Sequence, residues 1–184
     1  MPMRKAAFLD RDGVINIDHA YVSRREDFEF VDGVLEAAGR LVAAGYALVL
    51  VTNQSGIGRG YYTEEDFEAL NIYMCRVFEE AGAPIAGIYF CPHHPEKAIG
   101  QYRVACTCRK PQPGMLLRAA HEMGLDLTQS VMFGDKDSDM KAAQAAGVPV
   151  RILLGKDGLA QPAPSPSCTA VSRSLLTAVE SLGL

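Results

Sequence analysis

The sequence predicts an α/β fold, a doubly wound and mostly parallel sheet of Rossmann-like type in three layers, on three observations. Short apolar runs alternate with amphipathic stretches along the whole chain. The run Tyr46–Val51 is rich in Val and Leu at both parities, as a strand covered on both faces should be. Polar, aspartate-rich clusters follow the runs directly, at the sheet edge where ligand sites form in such folds. The 184 residues suit one domain over 1–184 and suffice for a substantial core. With 48% apolar and 22% charged residues, a disordered or collagen-like chain is excluded. The 18 Lys+Arg against 22 Asp+Glu leave a net charge of −4 without a basic block, so no nucleic-acid partner is expected. The run around Tyr46–Val51 is too short to cross a bilayer, and Met1–Leu9 meets Asp10, Arg11 and Asp12 before any signal-peptide core can form. The expectation is a cytoplasmic monomer with no membrane partner.

Lys5–Leu9 reads as a buried strand ending at Asp10. Asp32 is placed to cap a helix over Gly33–Ala44, with Val34, Leu35, Ala38, Leu41 and Val42 on one face and Gly45 as its stop. Tyr46–Val51 is the second strand. The Gly56–Gly60 stretch lacks the Gly-Lys-Ser/Thr ending of a P-loop and reads as a flexible turn. Thr63 starts the next helix, whose acidic Glu64, Glu65 and Asp66 suit its positive end. Its stripe of Phe67, Leu70, Met74, Val77 and Phe78 is core rather than a cofactor box. Ile85–Phe90 is the third strand. Residues 91–108 follow neither period, and a loop of that length needs something other than apolar burial to hold it. Pro113 opens a helix to about Met123, stopped by Gly124. Val131–Gly134 is a strand ending at Asp135, followed by a helix to Ala146 with Gly147 as its stop. Val150–Leu154 is the fifth strand. The proline-rich stretch 161–167 is a surface connection, and a short strand near Thr169–Val171 and a helix from Ser174 close the chain.

Polar clusters mark the strand ends: Asp10-Arg11-Asp12-Gly13, Thr52-Asn53-Gln54-Ser55-Gly56 and Gly134 through Asp139, with Lys110 after the third strand and its loop. Alone, each reads as a turn or a cap; together on one sheet edge they read as a shared site. Within the long loop, Cys91-Pro92-His93 is followed after twelve residues by Cys106-Thr107-Cys108. Three thiolates and an imidazole in two tight pairs are a tetrahedral set for Zn²⁺. His94 is the other imidazole available, and the Cys-x-His spacing favours His93. Four protein ligands leave no open position, so this zinc is structural and clamps residues 91–108. Cys75 and Cys168 stand alone. Arg109 and Lys110 follow the last cysteine directly, so the clamp would place both at the mouth of the site.

Asp10-x-Asp12, Thr52, Lys110 and Gly134-Asp135-x-x-x-Asp139 resemble, in order, the four motifs of the haloacid-dehalogenase-like phosphatases. The resemblance implies that fold and a phosphoric monoester hydrolase. It implies Asp10 as nucleophile, Asp12 as general acid and base, and Thr52 and Lys110 as holders of the phosphoryl oxygens. Catalytic Mg²⁺ would bind Asp10, the backbone carbonyl of Asp12, and Asp135, while Asp139 orients Lys110 or the metal waters. The chemistry is coherent: a carboxylate needs no deprotonation to attack, and a cation must offset its repulsion from phosphate. Val14 follows Gly13 where the family commonly has Thr, a change outside the charged atoms. No insertion large enough for a cap domain separates Asp12 from Thr52 or Thr52 from Lys110, so the site should be open. Its rim would offer substrate contacts from Asp18, His19, Tyr21, Asn53, Gln54, Ser55, Arg109 and Lys136.

Members of this family with such a zinc loop act on a sugar bisphosphate or on histidinol phosphate. The long loop and Arg109, able to grip a second phosphate bidentately, favour a small-molecule sugar phosphate as substrate. The reading from another class is a non-catalytic zinc module that binds a protein or nucleic acid. The acidic charge and the complete motif set argue against it.

Overall fold

A computed structural model describes residues 2–184. Its six strands are β1 (Ala6–Leu9), β2 (Ala47–Asn53), β3 (Ile85–Cys91), β4 (Val131–Gly134), β5 (Val150–Leu154) and β6 (Ala170–Ser172). They pair in parallel in the order β3-β2-β1-β4-β5-β6, which is the doubly wound arrangement the sequence predicts. The winding reverses between β1 and β4, and in such sheets that switch point is where a crevice opens beyond the strand C-termini.

Side chains of alternate parity along each strand enter opposite cores. Leu9, Leu48, Leu50 and Phe133 pack with helices α1 (Val34–Ala43), α3 (Glu64–Glu80) and α6 (Leu175–Ser181) on one face. Phe8, Val49, Val51 and Met132 pack with α4 (Gly114–Met123) and α5 (Asp137–Ala146) on the other. Phe8 and Leu9 are both fully buried, and burying each contributes about 1.5–3 kcal/mol relative to exposure. The three layers follow from this two-sided burial. The segments between Asp12 and Thr52 and between Thr52 and Lys110 hold α1, β2, β3, α3, a four-residue helix α2 (Ser55–Gly58), short turns and the long loop, with no large cap domain among the described residues.

The structure corrects two local expectations. Asp32 does not cap α1; the N-cap is Gly33, whose φ of 77° lies in the left-handed region, and no side chain accepts from the first turn. The entry is set instead by a tight turn in which the Val34 N–H donates to the Val31 carbonyl. The Gly56–Gly60 stretch is not a flexible turn, since Ser55–Gly58 is helical and Gly56, Ile57 and Gly58 are buried. The glycines are there for close packing. A Cβ on Gly58 would lie 2.3 Å from the Pro92 carbonyl oxygen, and one on Gly56 would lie 2.3 Å from the Tyr62 ring. Strand limits shift by a residue or two: β2 starts at Ala47 and continues through Thr52 to Asn53. At α3 the acidic first turn is part of a capping box, in which the Thr63 hydroxyl accepts from Asp66 N–H (3.1 Å) and the Asp66 carboxylate accepts from Thr63 N–H (2.9 Å).

Candidate active site

The end of β1 delivers Asp10 to the switch point, where its N–H donates to the Phe133 carbonyl of β4. Asp10 is 6% exposed and Lys110 only 4%. The Lys110 ammonium lies 3.0 Å from Asp10 Oδ1 and 2.6 Å from Asp139 Oδ1, and donates to the Val51 carbonyl at 2.7 Å. The Arg11 N–H also donates to Asp10 Oδ1, at 2.9 Å. Both contacts fall on one oxygen, Oδ1, and Asp10 lines a small recess together with Asp12, Lys110 and Asp139. Thr52, at the end of β2, is buried, and its hydroxyl accepts from Gln54 Nε2 at 2.9 Å.

Asp139 spends both oxygens locally. Oδ1 meets Lys110, and Oδ2 accepts from the Lys136 N–H at 3.0 Å, where α5 begins. Its room comes from Gly134, where a Cβ would lie 2.3 Å from the Asp139 Cβ. Asp135 has a buried Oδ1 with no hydrogen-bond partner. It is accommodated by Gly13, whose φ of 87° and missing Cβ leave space that a side chain would contest at 2.3 Å from Asp135 Oδ2.

This crowding of carboxylates has electrostatic consequences. Burial pushes the Asp10 carboxyl up to about 6, opposed by Lys110 and reinforced by Asp139 and Asp12. Burial, with Asp10 and Asp139 adding to it, pushes Asp135 up to about 8. Burial works against charge on Lys110 as well, yet Asp10 and Asp139 hold its ammonium well above the usual lysine range. One lysine does not neutralise the group. Asp10, Asp135 and Asp139 each offer a carboxylate oxygen within 4.8 Å of the others. With Asp139 already engaged, Asp10 and the unpartnered oxygen of Asp135 are the free ligands, and an all-oxygen donor set suits Mg²⁺.

Cys91, at the end of β3, meets His93, Cys106 and Cys108 in one cluster. The sulfur pairs Cys91–Cys106 and Cys106–Cys108 are 3.5 and 3.4 Å apart, and His93 Nδ1 lies 3.6 and 3.4 Å from the sulfurs of Cys91 and Cys108. Ligands of a tetrahedral zinc stand roughly 3.5–3.8 Å apart, so four donors at these separations fit such an ion. All five cysteines are free thiols. The cluster is tied to its surroundings: the Cys91 carbonyl accepts from Gln54 N–H at 2.8 Å, and the Arg109 N–H points at Cys106 Sγ, 3.3 Å away.

Above the recess lies a cleft of about 570 Å³, lined among others by Asp12, Asp18, Tyr21, Ser55, Arg109 and Lys136. It also takes in Asn53 and Gln54 from the predicted rim, but their side chains are committed to the scaffold. Asn53 pairs reciprocally with the Lys110 backbone, donating to its carbonyl (3.2 Å) and accepting from its N–H (3.0 Å). Gln54 donates to Thr52 and to Asp12 Oδ2 (3.1 Å), and accepts from the Tyr62 hydroxyl. His19 is not brought into the cleft; its Nε2 pairs with Glu29 at 3.1 Å, and the ring is half exposed. Asp18 lines the cleft while Lys156 lies 3.4 Å from its carboxylate. Tyr21 and Ala20 hold left-handed φ values of 54° and 61°, a strained pair that sets the Tyr21 ring edge-on to Tyr61.

Sequence reasoning missed Arg11, Asn16, Arg59 and Tyr62. Arg59 lines the cleft with its guanidinium over the Tyr21 ring, 5.6 Å from the centroid. A charged residue set between two aspartates was the one readable signal, for Arg11. Nothing local distinguishes Tyr62 from Tyr61.

A family model described as HAD-hydrolase-like matches residues 107–176. A D-glycero-beta-D-manno-heptose-1,7-bisphosphate 7-phosphatase of Vibrio cholerae is 54% identical over 151 residues, 82% of this chain and 81% of its own. A D-glycero-alpha-D-manno-heptose-1,7-bisphosphate 7-phosphatase of Burkholderia mallei is also 54% identical, over 82% of this chain and 79% of its own. Among solved structures, the D,D-heptose 1,7-bisphosphate phosphatase of B. bronchiseptica, complexed with magnesium and phosphate, superposes with a TM-score of 0.82 at 33% identity, covering 97% of each chain.

Proposed function

The chain belongs to the heptose 1,7-bisphosphate 7-phosphatase family of haloacid-dehalogenase-like phosphoric monoester hydrolases, and from that premise we propose that it removes the C7 phosphate of D-glycero-D-manno-heptose 1,7-bisphosphate through an aspartyl-phosphate on Asp10. One observation carries this reading. Asp10, Asp12 and Lys110 converge beneath a cleft lined by Arg59, Arg109 and Lys136, with Thr52 joined to Asp12 through Gln54, in a chain 54% identical over 151 residues to an enzyme of that name.

In this reading Asp10 Oδ2 attacks phosphorus. The bond from phosphorus to the C7 oxygen breaks, and that oxygen takes a proton from Asp12. A water then gives a proton to Asp12 and attacks the phosphorus of the phosphoaspartate. The bond to Asp10 breaks, releasing inorganic phosphate and restoring the carboxylate. The Thr52 hydroxyl and the Lys110 ammonium hold the equatorial oxygens, where preorganised donors act most strongly in a water-poor recess. Asp10, the Asp12 carbonyl and Asp135 would hold Mg²⁺, which supplies the positive charge that lets an anionic carboxylate approach an anionic phosphate. Zinc on Cys91, His93, Cys106 and Cys108 would fix the loop that presents Arg109 and Lys110. Arg109 is assigned to the C1 phosphate, and Asp18, Tyr21, Ser55 and Lys136 to the sugar. Relatives named for both anomers match equally well, so the reading rests on the C7 phosphate and leaves C1 aside. It makes the protein a cytoplasmic monomer that supplies heptose precursors of lipopolysaccharide.

A panel of sugar phosphates and histidinol phosphate, compared by kcat/KM with Mg²⁺ present, tests the proposal. The heptose bisphosphate should lead; a higher value for histidinol phosphate would overturn the substrate assignment.

A further inference from the structure

Arg11 is the largest fully buried side chain among the described residues, at 1% exposure. Burying a guanidinium costs several kcal/mol unless it is paired and hydrogen-bonded. Here two of the three hydrogen bonds go to one carboxylate oxygen. Nη2 donates to Asp12 Oδ1 at 2.8 Å and to the Val22 carbonyl at 2.7 Å, and Nε reaches Asp12 Oδ1 at 3.3 Å. The guanidinium carbon lies 5.9 Å from the ring centroids of both Phe28 and Phe67, which wall it in. Nη1, buried as well, has no partner. A purely structural arginine would satisfy its fork; this one leaves Nη1 unpaired while Nε and Nη2 both reach one carboxylate oxygen, with Val22 as the second partner of Nη2.

Asp12 is otherwise held only by amides. Asn16 Nδ2 donates to the same Oδ1 at 3.0 Å, and Gln54 Nε2 to Oδ2 at 3.1 Å. We infer that Arg11 is the positioning residue that holds the Asp12 carboxyl in the orientation required for proton transfer to the leaving oxygen. The inference rests on the reading of Asp12 as general acid. Its physical basis is that a buried charged guanidinium anchors Oδ1 with two donors while Gln54 on Oδ2 sets the carboxyl plane, a charge-assisted hold that amides alone supply more weakly. Misplacement of a catalytic group by about 1 Å can cost on the order of 10²-fold in rate.

A series of phosphate monoesters graded in leaving-group acidity, from a nitrophenyl to an alkyl ester, separates positioning from mere structure. An alkoxide needs the proton to depart and a nitrophenolate does not, and kcat/KM covers the steps through phosphoenzyme formation. Arg11→Met should lower kcat/KM for the alkyl ester about tenfold or more beyond its effect on the nitrophenyl ester. Arg11→Lys should steepen the dependence less, because an ammonium keeps a charged donor for Asp12 Oδ1 but not the paired one; should Arg11→Met fail to fold, this variant decides. An equal loss across the series, or none, in the folded variant would overturn the inference. Asp12→Asn runs alongside. If it gives the steep dependence while the Arg11 variants do not, the role of Arg11 alone falls. If Asp12→Asn leaves the dependence unchanged, the general-acid reading falls and takes the inference with it.

Discussion

Burial and Lys110 pull the Asp10 carboxyl in opposite directions, and the resulting value near 6, beside an Asp135 near 8, defines what the site lacks without a metal. Both groups bind protons more tightly folded than unfolded, where a carboxyl titrates near 3.8. Their contribution to stability is therefore full below that value and is lost as pH rises through about 6 and about 8. Metal-free protein should melt at progressively lower temperature across this window, and added Mg²⁺ should restore Tm most at the alkaline end. In a domain of this size each kcal/mol is about 2–4 °C. Asp135→Asn, which removes one forced charge, should raise Tm in EDTA at pH 8 and blunt the response to Mg²⁺; a variant that melts lower in EDTA would contradict this electrostatic picture. Asp10→Asn should abolish turnover, since an amide does not attack phosphorus, and phosphate release by that variant near the normal rate would remove the mechanism. The carboxylates Asp10, Asp12 and Asp135 were legible because each comes within a few residues of a strand end, and Lys110 because it follows the last cysteine of the loop directly. Arg11, Asn16 and Tyr62 were not, because their roles arise from contacts between segments that only the fold brings together.

Among the elements, the long loop is the one whose order depends on chemistry rather than on apolar burial. Its four donors lie at tetrahedral separations, and Gly114 at the start of α4 lets the loop close in, its N–H donating to the Thr107 carbonyl at 2.9 Å. Cys108→Ser should release the bound zinc, read by elemental analysis. It should also lower kcat by tenfold or more through misplaced Lys110 and Arg109, with the circular dichroism of the sheet retained. Full activity in a zinc-free protein would show that the loop needs no clamp. Gly58→Ala should destabilise by about 1–3 kcal/mol, because a Cβ meets the Pro92 backbone oxygen rather than a flexible side chain; thermal melts measure it. The sequence had made Gly56–Gly60 read as a flexible turn. Glycine permits both a free turn and a close approach, and the pattern of one residue does not say which neighbour will arrive. Asp32 misled for a related reason: it has the chemistry of a cap, but a left-handed Gly33 already occupies the N-cap position.

On the scale of the molecule, the order β3-β2-β1-β4-β5-β6 places Asp10 and Asp135 immediately after the two strands that flank the reversal of winding, with Thr52 on the neighbouring β2. This much was readable, since apolar runs of both parities alternating with helices leave few other arrangements. The shape of the cleft was not, because Arg59 and Tyr62 reach it through the packed turn of α2. Without a large cap domain, discrimination must come from the rim, so Arg109→Ala should reduce kcat/KM for the bisphosphate more than for a sugar monophosphate, by about 1.5–3 kcal/mol for a lost charged hydrogen bond. An equal loss on both substrates would remove Arg109 from the second phosphate. The site chosen for cleavage tests the whole account most directly, and phosphorus NMR of the heptose 1,7-bisphosphate during turnover with Mg²⁺ reads it. The account predicts that the C7 phosphomonoester signal gives way to inorganic phosphate while the C1 signal persists, and that the spectrum stays unchanged with Asp10→Asn. Loss of the C1 phosphate first, or no reaction by the wild-type protein, would contradict it.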